Sequence, residues 1–122
     1  MSDKELLIKD LCGRLPYNVV VNCTEEDDEK TNFNCFLTPE MIKDIGSVTA
    51  KWNYKPYLRP ITSMTKEECA EEDKLYGGDD STQSDMQLAT KLIDYYNSHY
   101  IDYRGLIEKG LALEAVPGIY NI

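Results

Sequence analysis

Ser47-Val48-Thr49-Ala50-Lys51-Trp52-Asn53-Tyr54 alternates without a break. Val48, Ala50, Trp52 and Tyr54 fall on one side of it, and Ser47, Thr49, Lys51 and Asn53 on the other. Successive side chains of a strand point to opposite faces, so this period of two predicts a strand with one packed face and one wet face. A sheet that is apolar on one side only needs a second layer to cover it.

Upstream, Thr38-Pro39-Glu40 combines a capping hydroxyl, a proline at the first helical position and an acid near the positive end of the dipole. Met41, Ile42 and Ile45 give that helix an apolar side of about two turns, and Gly46 suits its C-terminal end. Before it, Phe33, Cys35 and Leu37 alternate as a strand over Phe33–Leu37. Tyr17, Val19, Val21 and Cys23 do the same over Tyr17–Cys23, with the β-branched content that strands favour. Ser2-Asp3-Lys4-Glu5 is a capping box. It predicts a helix over Asp3–Arg14 with Leu7, Ile8, Leu11, Cys12 and Leu15 as its buried stripe, weakened at Gly13 and stopped by Pro16.

Downstream, Pro56 and Pro60 bracket Lys55–Pro60, which reads as an extended, packed connector. Thr65-Lys66-Glu67-Glu68 is a second capping box, opening a helix whose apolar pattern is poor: Cys69, Ala70, Leu75 and Tyr76. That helix should be exposed and weakly held, and Gly77-Gly78-Asp79-Asp80-Ser81 should end it as a loop. A third box, Ser84-Asp85-Met86-Gln87, opens a helix with Leu88, Ala89, Leu92, Ile93 and Tyr96 on one face, ending near Asn97 or Ser98. Asp102 then reads as the cap of a short helix from Tyr103 to Lys109, stopped by Gly110. Leu111, Leu113 and Ala115 alternate weakly before Pro117-Gly118. No internal repeat and no Pro/Ser-rich linker divides the 122 residues. The expected fold is one α+β domain over residues 1–122, a small and mainly antiparallel sheet packed in two layers against the N-terminal helix and the Ser84 helix.

The net charge is −9, unevenly placed. Glu25 to Glu29 contributes −5 and Lys66 to Asp85 contributes −6, leaving +2 on the rest. Phosphate neutralisation needs clustered Lys and Arg, which no window supplies, so direct nucleic-acid binding is not expected. The Glu25–Glu29 run reads as a solvated loop joining two strands. No apolar run is long enough to span a membrane, and Met1-Ser2-Asp3-Lys4-Glu5 lacks the pattern of a secretory signal. A cytoplasmic domain is the expectation.

Cys12, Cys23, Cys35 and Cys69 form no C-x-x-C pair. They read as buried, reduced thiols rather than metal ligands. Asp79, Asp80 and Asp85 could attract calcium, but their spacing is not that of an EF-hand. Gly77-Gly78 has neither the preceding strand nor the GK[ST] of a phosphate loop. No cofactor and no metal is expected.

His99 is the only histidine, within Asn97-Ser98-His99-Tyr100-Ile101-Asp102-Tyr103-Arg104. One reading makes His99 a general base oriented by Asp102, with Arg104 binding an anion. The other makes His99 a partner of its helix dipole, Asp102 a cap and Arg104 a structural ion-pair donor. Nine tyrosines crowd two regions. Tyrosine serves small cores and interfaces alike, and Tyr57, Arg59, Tyr100 and Tyr103 are the interface candidates.

Lys55-Pro56-Tyr57-Leu58-Arg59-Pro60-Ile61-Thr62-Ser63-Met64-Thr65 and Asp102-Tyr103-Arg104-Gly105-Leu106-Ile107-Glu108-Lys109-Gly110-Leu111-Ala112 resemble a family of small uncharacterised proteins of gut Bacteroides species and their phages or prophages. The opening Leu7-Ile8-Lys9-Asp10-Leu11-Cys12-Gly13-Arg14-Leu15-Pro16-Tyr17 and the closing Leu113-Glu114-Ala115 resemble the same family. The resemblance implies a mobile-element setting and a shared small fold; it brings no activity.

Two classes of function follow. One is a non-catalytic accessory protein of a mobile element that binds another protein. The alternative is a small hydrolase or nuclease-like enzyme using His99, Asp102 and Arg104. The first rests on the expectation that the aromatic and aliphatic side chains all serve the core. An imidazole lining a cleft beside a carboxylate and a guanidinium would contradict it.

Overall fold

A computed structural model describes residues 2–28, 30–47, 51–77 and 85–120. Helix α1 spans Asp3–Arg14, and the Ser2 hydroxyl accepts the Glu5 amide at 3.1 Å, as the capping box requires. Leu15–Tyr17 then form a 3₁₀ turn and Asn18 takes a left-handed conformation at φ 54°. Pro16 favours that tight turn, and asparagine tolerates the left-handed region. Strand β1 therefore starts at Val20, three residues later than its alternation suggests, and runs to Glu25.

A hairpin returns the chain as β2, Asn32–Phe36. Asp28 shapes its turn: the side chain accepts the Lys30 amide at 3.1 Å and the Thr31 hydroxyl at 2.8 Å. The acidic run thus begins in β1 at Glu25 and continues as the turn. Helix α2, Pro39–Ile45, is capped by Thr38, whose hydroxyl accepts the Met41 amide.

Strand β3 runs over Trp52–Pro60. Val48, Thr49 and Ala50 of the deciding stretch lie outside the described residues. The Lys55–Pro60 segment is not a connector: it is the second half of β3, the strand on which the sheet is assembled. β1 pairs with β3 antiparallel from Glu25↔Trp52 to Val21↔Pro56, and the short strands β4 (Ile101–Asp102) and β5 (Leu113–Glu114) pair with it in parallel. The order is β2-β1-β3-β4, with β5 also on β3.

The prolines are tolerated because of register. The Glu26 amide donates to Lys51 O, so bonded positions continue at Thr24/Asn53 and Asn22/Lys55. Pro56, opposite Val21, then falls at a non-bonded position, so its missing N–H breaks no bond of the β1–β3 ladder. Where the next bonded pair would form, the Tyr120 hydroxyl intervenes. It accepts the Val20 amide at 3.0 Å and donates to Tyr57 O at 2.7 Å.

Helices α3 (Lys66–Gly77) and α4 (Asp85–Ser98) complete the chain. Ser84, proposed as the α4 cap, lies outside the described residues, as do Gly78, Asp79, Asp80 and Ser81. Asp102 caps, but no helix follows: its carboxylate accepts the Leu106 and Ile107 amides at 2.9 and 3.0 Å, and residues 106–110 form turns. The result is the α+β architecture expected, with Leu7, Leu11, Val19, Val21, Cys23, Leu37, Ile45, Leu58 and Leu106 in one core.

The α1 stripe differs from its sequence reading. Cys12 is exposed, whereas Asp10 and Arg14 are fully buried. Arg14 Nε donates to Asp10 at 2.7 Å and Nη2 to Ile101 O at 2.7 Å. Gly13 also has a packing role. The Asn97 amide, buried on α4, lies 3.2 Å from where a Cβ would stand and donates to Gly13 O. Trp52 is half-buried rather than central, meeting Phe33 edge-on at 5.4 Å. Of the thiols, Cys69 is exposed, Cys35 half-buried and Cys23 buried. Burial and the Cys35 neighbour push the Cys23 thiol up to about 12, so it stays protonated and inert.

Candidate functional site: a cleft at the end of β3

The end of β3 delivers Arg59 beside the start of α3, where the second capping box is formed reciprocally. The Thr65 hydroxyl accepts the Glu68 amide at 3.2 Å, and the Glu68 carboxylate accepts the Thr65 amide at 2.9 Å. That box turns Glu68 inward, where it is buried. Arg59 meets it with two parallel bonds, Nη2 to Oε1 at 2.6 Å and Nη1 to Oε2 at 2.8 Å. Such fork-on-fork pairs are short and directional. The remaining Arg59 donors reach His99 O and Ser63 O.

The C-terminal end of α4 contributes the third member. His99 Nδ1 lies 2.9 Å from Glu68 Oε2, and the ring stacks on Tyr95 at 4.3 Å between centroids. Arg59, above all, and the Thr65 amide hold the Glu68 carboxyl down at about 2, against the opposing effect of burial. Above that pH Glu68 only accepts hydrogen bonds. Nδ1 therefore carries the ring proton, and in the neutral imidazole Nε2 is left as the acceptor. Burial pushes the Tyr95 phenol up to about 12, with Glu71 adding to it, so its hydroxyl stays protonated and donates to Glu68 O.

Next to His99, Tyr100 occupies the left-handed region at φ 61°, which costs a non-glycine residue about 1–2 kcal/mol. Its surroundings impose that conformation. The ring stacks on Tyr120 at 3.7 Å, the hydroxyl donates to Tyr17 O at 2.8 Å, and the carbonyl accepts the Arg59 amide at 2.7 Å. Arg59, Glu68 and His99 line one side of a cleft of about 540 Å³, with Pro60, Ser63 and Thr65 beside them. Residues 114–118 and Tyr120 supply the other side.

The expected trio His99, Asp102 and Arg104 faces three separate partners. His99 turns to Glu68, Asp102 to the amides at 106 and 107, and Arg104 Nε donates to Asp10 at 3.2 Å. The imidazole does line a cleft beside a carboxylate and a guanidinium, those of Glu68 and Arg59, which overturns the expectation that the side chains serve the core alone. Of the interface candidates, Tyr57 is half-buried with its carbonyl bonded to Tyr120, and Tyr100 is engaged as above. Tyr103 stacks on Tyr96 at 5.5 Å beneath Arg14 and Arg104. Arg59 alone of the four lines the cleft.

Sequence reasoning missed Glu68 and Tyr120. The capping box marks Glu68 as a local group, and nothing in the order of residues signals that its side chain is buried against Arg59, nine positions away in β3. Among the described residues no group of three or more His, Cys, Asp or Glu is placed to hold a metal, and no helix is long and apolar enough to cross a membrane. No protein-family model matches the chain, and no curated protein or solved structure matches it.

Proposed function

We propose that this is a non-catalytic accessory protein that binds a segment of another protein in the cleft at the end of β3. The observation that carries this reading is the use already made of the cleft's polar groups. Arg59, Glu68, Thr65, the Ser63 hydroxyl and the Tyr120 hydroxyl each hold the chain's own groups. What remains is an apolar wall of Pro60, Ala115, Val116 and Pro117 with two titratable side chains, His99 and Glu114. Concave, mainly apolar surfaces with few polar groups are what recognition sites offer. Val116 is 56% exposed, so its side chain is open to contact by a partner. The resemblance to small proteins of phages and prophages supports a mobile-element setting. The four free cysteines fit the cytoplasm, where thiols stay reduced.

The experiment is affinity capture from cells carrying the encoding element, comparing the natural chain with Val116→Glu and His99→Ala. A protein retained by the natural chain and lost with Val116→Glu is the expected result. An identical set from all three chains would overturn the reading.

The Glu68–His99 bond favours a second reading, in which Nε2 is a general base toward water and the chain is a small hydrolase. It is tested with an activated ester such as p-nitrophenyl acetate. Turnover that His99→Ala abolishes and Glu68→Gln reduces supports it, and turnover that is unchanged in both variants excludes it.

A further inference from the structure

The other end of the sheet suggests a distinct activity. β2 is the last strand of its order, and among the described residues it pairs with β1 alone. Sheet edges invite another strand, and proteins blunt them with charge, proline or a bulge. β2 has none of these. Thr31-Asn32-Phe33-Asn34-Cys35-Phe36-Leu37 contains no charged residue and no proline, and its pairing from Val20↔Phe36 to Thr24↔Asn32 is unbroken.

Register shows which backbone groups are open. The Leu37 amide donates to Val19 O at 2.8 Å and the Glu25 amide to Thr31 O at 3.1 Å. Bonded pairs therefore fall at the odd-numbered residues of β2. Alternation turns the N–H and C=O groups of Asn32, Asn34 and Phe36 to the open side. All three side chains are exposed, Phe36 at 62%. The strand is also stiffened: Asn22 Nδ2 donates to both Asn32 Oδ1 at 2.9 Å and Asn34 Oδ1 at 3.0 Å, tying β2 to β1 across the wet face.

We infer that β2 pairs with β2 of a second copy of this chain, antiparallel about a two-fold axis through Asn34. In that register Asn34 faces Asn34 and Asn32 faces Phe36. Every outward N–H then meets an outward C=O, so the edge is complementary to itself. Two copies of net charge −9 repel overall, and the uncharged edge of residues 31–37 is where they can approach without like charges at the contact. Antiparallel pairing also keeps the two acidic turns at opposite ends of the joined strands, away from one another.

The test is the mass in solution by sedimentation equilibrium, combined with residue-resolved amide exchange. A dimer is expected, with the amides of Asn32, Asn34 and Phe36 exchanging more slowly as concentration rises. Asn34→Pro removes an outward N–H and leaves the β1 ladder intact, and Phe36→Lys places a charge at the edge. Each is expected to give a folded monomer by circular dichroism; if Asn34→Pro fails to fold, Phe36→Lys decides. A natural chain that stays monomeric throughout, a dimer that Phe36→Lys leaves intact, or amides protected only when a different protein is added would each overturn the pairing.

Discussion

Two carboxylates in this molecule are each gripped by two nitrogen-bearing side chains, and they differ in what surrounds them. Asp10 holds Arg14 and Arg104; Glu68 holds Arg59 and His99. The Asp10–Arg14 pair is sealed, with both side chains fully buried, and it ties α1 to the Ile101 carbonyl. The Glu68 cluster borders a cleft through His99, whose side chain is 28% exposed; Arg104, the outer member at Asp10, is 23% exposed but does not line that cleft. A sealed pair can only hold elements together. A pair of the same chemistry that opens to solvent through an imidazole can also meet a ligand. Residues 97–104 connect the two clusters, contributing Asn97 and Arg104 near one and His99 to the other.

The largest effect expected of this comparison is at the sealed end. Arg14→Ala leaves Asp10 buried with only Arg104 beside it and should destabilise the protein by about 3–5 kcal/mol, as broken buried pairs do. Urea denaturation measures it, and a loss below 1 kcal/mol would mean that the α1 junction does not depend on the pair.

The next effect separates the clusters by pH. The Glu68 carboxyl is lower in the folded protein than its ordinary value, so its contribution is complete above about pH 4.5 and is lost as pH falls toward about 2. Glu68→Gln should lower stability by roughly 2 kcal/mol at neutral pH, in the range of hydrogen bonds to charged groups. The difference in melting temperature from the natural chain should shrink steadily below pH 4.5. A constant difference down to pH 2 would show that the charge on Glu68 is not what matters.

The smallest effect concerns the outer member of each cluster. His99→Ala and Arg104→Ala remove partly exposed groups and should each change stability by about 1 kcal/mol or less. If the clusters differ as argued, only His99→Ala also weakens retention of a partner by the cleft. Equal effects of the two variants on partner retention would remove the distinction.

Much of the architecture is local and was legible. Ser2, Thr38 and Thr65 cap helices where the sequence places them, because a capping bond joins residues three apart in the chain. The two prolines of Lys55–Pro60 argue for a connector and against a strand interior. A proline fits β3 because the register with β1 leaves Pro56 unbonded, and register is a property of two strands. Cys12 was placed in the buried stripe of α1 and Arg14 was not. Polarity argues for exposing an arginine, and only an acceptor such as Ile101 O, 87 residues away, makes its burial affordable. The candidate site was legible at His99 and Arg59 alone. Asp102 and Arg104 stand near His99 in sequence, but a two-residue strand and a left-handed tyrosine turn the three apart.

What the order of residues determined by itself was the set of elements with short memory: the capping boxes at Ser2 and Thr65, the Thr38 cap, the alternation of β1 and β2, and the acidic turn between them. Those depend on neighbours within a few positions. Only the tertiary structure decided which charges are sealed and which border a cleft, because burial, register and the pairing of Glu68 with Arg59 and His99 depend on where distant segments come to rest. Hydrogen bonds and ion pairs of that kind act over a few ångströms in space, whatever their separation along the chain.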